Sequence, residues 1–124
     1  MVQAAPGLEL DVERGPDWLF VRPHGLPQDD DGPPLGEMVW GLLEQNFVHR
    51  LVLELDALKK LDDGLIHELL WLEKRIYAVG GMMRICGLKP VCVKALCKLR
   101  LDRRFHPHTS REDAVMSRHA IAAK

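Results

Sequence analysis

The chain has 124 residues, of which 47% are hydrophobic and 28% charged, a balance typical of a single globular domain. Its formal net charge of −1 excludes the large basic excess of a dedicated nucleic-acid binder, so no nucleic-acid partner is expected. No apolar run approaches the roughly 20 residues of a membrane span, and residues 1–10 lack a secretory signal, so we expect a cytoplasmic chain without membrane insertion that keeps its three cysteines reduced.

The first half of the chain predicts a hairpin, a helix and a buried strand. Residues 8–15 alternate apolar and charged side chains, and residues 18–25 predict the second strand of the hairpin. Residues 34–45 begin with proline, which suits the first turn of a helix, and carry apolar side chains at helical spacing. Residues 49–55 are nearly continuous in apolar side chains. With only Glu54 polar after the strand begins, they predict a central strand buried on both faces.

A long amphipathic helix is predicted after the adjacent carboxylates Asp62 and Asp63. We expect Asp63, directly before Gly64, to cap this helix and to face the positive end of its dipole. Glu73 falls mainly outside the apolar stripe, and Gly80-Gly81 ends the helix, with one of the two glycines free to take the left-handed conformation. The residues expected to face inward are Leu65, Leu69, Leu72, Ile76 and Val79.

The last third predicts a strand, a short helix, an extended segment and a final helix. Residues 82–88 are the fourth strand, and residues 89–99 are the short helix. Residues 103–108 are a short fifth strand or an extended link, and residues 109–124 are the last helix, in which Thr109 and Glu112 fit a capping box. The residues of the short helix expected to face inward are Val91, Ala95 and Leu99.

These elements alternate in a way that predicts one small α/β domain. A central strand, a crossover helix and a further apolar strand form a right-handed parallel unit. We expect a mixed sheet of four to five strands with about four helices and with the first strand antiparallel at the edge. The whole chain, 1–124, is one domain with its core at about 8–115, and residues 116–124 are the end of the last helix or a frayed tail.

Four segments in order carry a resemblance to a known family: "LVLELDALKKLDDGL", "KRIYAVGGMMRICGL", "KPVCVKALCKLRLDRRF" and "TSREDAV". Their order and spacing resemble the STAS domain of bacterial anti-sigma factor antagonists, which has an apolar strand, then Asp-Ser-Ser-Gly-Leu, then a helix ending in Gly-Gly. The resemblance implies a STAS-like sandwich that binds other proteins, is not an enzyme and needs no cofactor or metal.

The chain departs from the family pattern at two places. Arg100 stands where the family usually has glycine. The turn before the long helix is one residue short, so either Asp62 or Asp63 occupies the position of the serine that partner kinases phosphorylate. No serine or threonine lies between Leu51 and Gly81, so the usual phosphoacceptor is absent.

By resemblance, the partner is an anti-sigma factor of the serine-kinase type, and binding it would regulate sigma-factor-dependent transcription. The resemblance places the contact at the turn before the long helix, and it leaves room for a homodimer. The expected partner-binding residues are Lys59, Lys60, Asp62, Asp63, Gly64 and Leu65. The alternatives are a soluble STAS subunit of a membrane transport system and a STAS scaffold unit of a stress-signalling assembly.

Residue patterns leave three chemical alternatives. Asp56 follows a buried strand where a receiver domain would take phosphate on aspartate, but the first strand ends in a hairpin without the acidic pair that would hold Mg²⁺. Cys86 could act as a nucleophile beside a histidine, although no local motif supports it. A zinc site would use Cys92, Cys97, His106 and His108, at a spacing on the margin of structural zinc sites.

A basic segment covers the short helix and the residues after it. Its members are Lys89, Lys94, Lys98, Arg100, Arg103 and Arg104. Because the overall charge is near zero, we interpret it as a solvated helix face, with a docking patch for an acidic partner as the alternative.

Overall fold

The computed structural model describes residues 2–5, 8–25, 34–59, 61–105 and 107–116. Within them the strands are β1 (Val2–Ala5), β2 (Leu8–Arg14), β3 (Leu19–His24), β4 (Arg50–Glu54) and β5 (Met82–Cys86). The helices are α1 (Leu35–Gln45), α2 (Asp63–Ala78), α3 (Pro90–Lys98), α4 (Asp102–Phe105) and α5 (Arg111–Met116).

The five strands form one mixed sheet in the order β1-β2-β3-β4-β5. The pairs β1–β2 and β2–β3 are antiparallel, whereas β3–β4 and β4–β5 are parallel. This confirms the predicted mixed α/β sheet with an antiparallel first strand at its edge. That edge strand is β1, which lies before the predicted start of the core at residue 8.

The strand or extended link predicted at residues 103–108 is wrong for its first half. Asp102–Phe105 is the helical turn α4, and His106 lies outside the described residues. The extended part is a single parallel bridge between His108 and Cys86, held by the His108 N–H donating to the Ile85 carbonyl at 2.9 Å. Among the described residues of this segment, His108 pairs with the edge of β5.

The two faces of the sheet are covered by different numbers of helices. Alternate residues of β4, beginning with Leu51 and Leu53, point to the face on which α1, α2, α3 and α4 build the main core. The opposite face carries a smaller cluster of Trp18, Val52 and Cys86, closed by Ala114 of α5. That second face is therefore covered by one short helix over β4 and β5, while charged residues lie on the rest of it.

Two helix faces differ from the predicted ones. In α3 the buried residues are Cys92 and Leu96. The side chains of Val91 and Leu99 are 57% and 50% exposed. The prediction was wrong for Val91 and Leu99, because the thiol of Cys92 packs as a small apolar group and rotates the inward stripe by one position. Ala95, also predicted to face inward, is partly buried against the main core. In α2, Val79 is half exposed because it is the C-cap residue, beyond the last helical turn.

Three helices end on a residue in the left-handed conformation. Gly80 follows α2 with φ of 79°, which confirms its predicted role. The same position is held by Phe47 after α1, with φ of 55°, and by Arg100 after α3, with φ of 58°. Side chains bearing a Cβ are disfavoured there by about 1 kcal/mol, so these two ends are strained.

Replacing Arg100 with glycine should stabilise the fold. Arg100 donates its N–H to the Cys97 carbonyl at 3.0 Å, and Leu101 donates to Leu96 at 2.9 Å, which is the hydrogen-bond pattern of a glycine-ended helix. Relief of the strain exceeds the extra entropy of glycine in the unfolded chain, so we expect Arg100→Gly to raise the free energy of unfolding by about 0.5–1 kcal/mol. Urea denaturation measures it, and a decrease would contradict the assignment.

The last described helix has a different cap from the predicted one. α5 begins at Arg111, and the Ser110 hydroxyl accepts from the Asp113 N–H at 3.3 Å. The capping residue is therefore Ser110 rather than Thr109, because the first helical residue is Arg111, one residue later than a cap at Thr109 requires. The predicted tail at 117–124 lies outside the described residues.

Candidate functional site

Parallel pairing of β4 and β5 brings the segments after both strands to one edge of the sheet. The two segments touch there: a Cβ on Gly87, whose φ is 75°, would lie 3.0 Å from the Cβ of Asp56. Leu55 donates its N–H to the Cys86 carbonyl at 2.9 Å, which continues the strand pairing to this edge. The backbone from which the turn into α2 begins is therefore held in place by its contacts with the end of β5. We call the exposed residues of this turn, Lys59, Asp62, Asp63 and Gly64, the α2 entry surface.

Asp62, and not Asp63, caps α2. Asp62 has extended backbone angles, and its Oδ1 accepts from the Leu65 N–H at 2.8 Å. Asp62 also supplies the carbonyl for the Ile66 N–H at 3.0 Å. The expectation that Asp63 is the cap is therefore wrong: Asp63 is the first helical residue, and its exposed carboxylate lies at the positive end of the helix dipole.

The structure separates the predicted partner-binding residues into three groups. The four members of the α2 entry surface are exposed at one turn. The Leu65 side chain is 5% exposed and belongs to the main core. The prediction that it contacts a partner at the surface is therefore wrong, and Leu65 instead packs beneath the turn. Lys60 lies outside the described residues.

An ion-pair network next to this edge was not foreseen from the sequence. Glu54, which is 5% exposed, accepts from the Nε and Nη2 of Arg111 at 2.8 and 2.9 Å. Arg111 also pairs with Glu13 on β2. Arg22 of β3 lies 3.6 Å from Glu54 and donates from Nε to Asp56 at 3.1 Å. The network therefore ties α5 to three neighbouring strands.

Electrostatics of the network favour the charged state of Arg111. Hydrogen bonding to Glu54 raises the pKa of Arg111, and the bond to Glu13 adds to it, while burial acts in the opposite direction. The guanidinium also stacks 4.3 Å above the centre of the Phe20 ring. One signal in the sequence indicated this network, namely Glu54, the single acidic residue within the buried strand.

Cys86 is unsuited to nucleophilic chemistry. Burial, together with the charges of Glu54 and Asp56, raises the pKa of its thiol to about 12. Because only the thiolate attacks, a thiol with this pKa is inert near neutral pH. The structure therefore argues against the Cys86–histidine alternative.

Thiol labelling should separate the three cysteines. Cys86 and Cys92 are buried and Cys97 is partly exposed, and burial raises the pKa of both buried thiols. At about pH 8 we expect iodoacetamide to modify Cys97 first, and the other two only after unfolding. Peptide mass spectrometry measures the order, and modification of Cys86 as fast as Cys97 in the folded protein would contradict it.

The other chemical alternatives lack a matching arrangement. A receiver domain has a parallel sheet with its first strand inside the sheet, whereas here β1, β2 and β3 are antiparallel and β1 is at the edge. Asp56, its proposed phosphate acceptor, pairs with Arg22. For zinc, no group of three His, Cys, Asp or Glu residues able to hold a metal occurs in the described part of the chain.

The basic segment is for the most part a solvated surface. Five of its six cationic residues are exposed and form no ion pair with the described part of the chain, and Arg104 is the exception. Arg104 pairs with Glu73, which is 4% exposed although the sequence placed it outside the apolar stripe of α2. Glu73 is tolerated inside because α4 brings this guanidinium to it.

The mixed sheet, four helices on one face and α5 alone on the other define an α/β protein with the STAS domain fold. No family model and no curated protein matches the chain. Solved structures do. The chain is similar to an anti-sigma factor antagonist from Mycobacterium paratuberculosis, with a TM-score of 0.73 and 18% identity over 93% of this chain and 97% of that chain.

Two further structures carry the same fold. The anti-sigma factor antagonist SpoIIAA in its unphosphorylated form matches with a TM-score of 0.65 and 15% identity, over 93% of this chain and 100% of that chain. A chain of the stressosome, described as a signal integration and transduction hub, matches with a TM-score of 0.66 and 17% identity, over 86% of this chain and 94% of that chain. These likenesses establish the fold.

Proposed function

We propose that the chain is a non-enzymatic protein-interaction module that binds an anti-sigma factor of the serine-kinase type and thereby regulates sigma-factor-dependent transcription. The observation that carries the proposal is the α2 entry surface, an exposed turn with fixed charges at the start of a long helix, in a fold shared with anti-sigma factor antagonists. Helix N-termini offer backbone N–H groups and a positive potential that a partner can read.

We further propose that this surface is not switched by phosphorylation. Asp62 and Asp63 stand where the family serine is expected, and a carboxylate carries one negative charge against about −1.5 to −2 for phosphoserine. The Asp62 carboxylate is committed to the Leu65 N–H, so its charge serves the fold. Asp63 is exposed and presents a constant charge to a partner.

Calorimetric titration of a serine-kinase anti-sigma factor from the organism that makes this chain tests the surface. Asp62→Ser keeps a capping oxygen and removes the charge, Asp62→Ala removes both, and Asp63→Ala removes the exposed charge alone. We expect the Asp63→Ala variant to change the dissociation constant about tenfold, corresponding to about 1.4 kcal/mol. Glu112→Gln, an exposed carboxylate on α5, is the matched control. If all three variants at the turn bind as the parent does, the turn is not the interface.

A scaffold role in a stress-signalling assembly is the second candidate. It is favoured by the likeness to the stressosome chain, which covers 86% of this chain. A scaffold unit would form large particles with further STAS proteins, whereas an antagonist would form a small complex with a kinase. Size-exclusion chromatography with light scattering, on mixtures with each kind of partner, separates the two.

The transport-subunit alternative requires a separate membrane protein. None of the helices in the described ranges has the length and apolar character needed to cross a bilayer.

A further inference from the structure

Phe47 is an exposed aromatic residue in an unfavourable backbone conformation. It follows α1 with φ of 55°, and its side chain is 90% exposed. The helix end does not need its ring: the apolar contact of this motif joins Leu43 and Val48, which are both buried in the main core. The backbone of Phe47 is therefore strained and its ring lies in water, and packing against the described residues compensates neither cost.

The ring borders a shallow cavity of about 320 Å³. The start of β4 and the end of α2 form its floor, and they meet closely: a Cβ on Gly81 would lie 2.0 Å from the His49 carbonyl oxygen. Met82 donates its N–H to that same oxygen at 2.9 Å. The cavity is therefore shaped by main chain that is held in place, and an occupant would meet a preformed surface.

Both signs of charge lie around this cavity. Arg14 and Arg50 supply positive charge, and Asp17 supplies negative charge; all three are exposed. An interface between two identical copies related by a two-fold axis must be self-complementary, because the same patch is used twice. An exposed aromatic ring, Phe47, with charges of both signs beside it meets this condition, whereas a strongly acidic or basic partner would favour a rim of one sign.

We propose that this surface, made of Phe47, Arg14, Asp17 and Arg50 around the cavity, binds a second copy of the chain. The two Phe47 rings meet at the centre, and Asp17 of each copy faces the arginines of the other. The surface lies where β4 begins, and the α2 entry surface lies beyond the end of β4, so a dimer leaves the proposed partner contact open. Because the patch is small, the dimer is weak and depends on concentration.

Sedimentation equilibrium of the purified chain over roughly 5–500 µM tests the proposal. We expect the mean mass of the parent to rise toward that of a dimer, and Phe47→Gly to stay monomeric throughout. Glycine also relieves the left-handed strain, so this variant should fold at least as stably as the parent, and its loss of association cannot be attributed to misfolding. Val91→Ser, which removes an exposed apolar side chain on α3, should associate like the parent.

Variants with reversed charges provide a second test of the proposed dimer. Asp17→Arg alone and the double variant Arg14→Asp/Arg50→Asp should each remain monomeric, and an equimolar mixture of the two should associate again. The proposal is overturned if the parent is monomeric over the whole range, if Phe47→Gly associates as the parent does, or if the mixture stays monomeric.

Discussion

Replacing Arg111 with methionine should lower the free energy of unfolding by about 3 kcal/mol, because it leaves Glu54 buried without its main counter-charge. The loss is expected at neutral pH, where Arg111 of the parent carries its charge, since hydrogen bonding to Glu54 raises the pKa of the guanidinium. Arg111 is the first residue of α5, so the variant should also loosen that helix from the sheet. Guanidinium chloride denaturation followed by circular dichroism measures the change.

Two controls isolate the buried charge. Arg103→Met removes an exposed arginine on α4 and should change stability by less than about 0.5 kcal/mol. The double variant Glu54→Leu/Arg111→Met removes both partners and should recover most of the loss, because no unpaired charge then stays buried. If Arg111→Met is as stable as the parent, the network is not a determinant of the fold.

Serine at the entry turn should convert the chain into a kinase substrate. With ATP and the same serine-kinase anti-sigma factor, we expect the parent to gain no phosphoryl group, and either Asp62→Ser or Asp63→Ser to gain one. The variant that is phosphorylated identifies the position equivalent to the family serine. Phosphoserine adds charge and three acceptor oxygens at this surface, so the modified variant should bind the partner more weakly than before modification.

Intact-mass spectrometry gives the result directly. Thr109→Ser, on the short segment before α5, controls for phosphorylation of any exposed hydroxyl. Phosphorylation of neither Asp62→Ser nor Asp63→Ser would contradict the role of the turn as a lost switch. Phosphorylation of the parent would contradict the absence of a switch in this chain.

Local patterns were sufficient to predict most of the sheet and both large helices. The continuous apolar run of β4 and the helical spacing in α2 report burial directly, because each residue is placed by its neighbours in sequence. The exposed turn at Asp62 and Asp63 could also be predicted from the sequence, because a strand followed by acids, glycine and an amphipathic helix has few other conformations. Which of the two acids caps the helix depended on a shift of one residue.

The buried charges could not be predicted in the same way. Glu73 is matched by Arg104, 31 residues away, and Glu54 by Arg111, 57 residues away. Such pairs are formed by the topology and leave no local periodicity. The strained ends at Phe47 and Arg100 were hidden for a related reason: residues with side chains occupy positions where sequence signals anticipate glycine.

The most direct test of the account is a map of the partner contact on this chain. Amide chemical shifts in NMR spectra, recorded with and without the serine-kinase anti-sigma factor, report which residues change environment. We expect the largest shifts at Lys59, Asp63 and Gly64, and unchanged amide signals for Asp17 and Phe47 at a constant oligomeric state. Shifts confined to α3 or to the Phe47 surface, with the α2 entry surface unchanged, would contradict it.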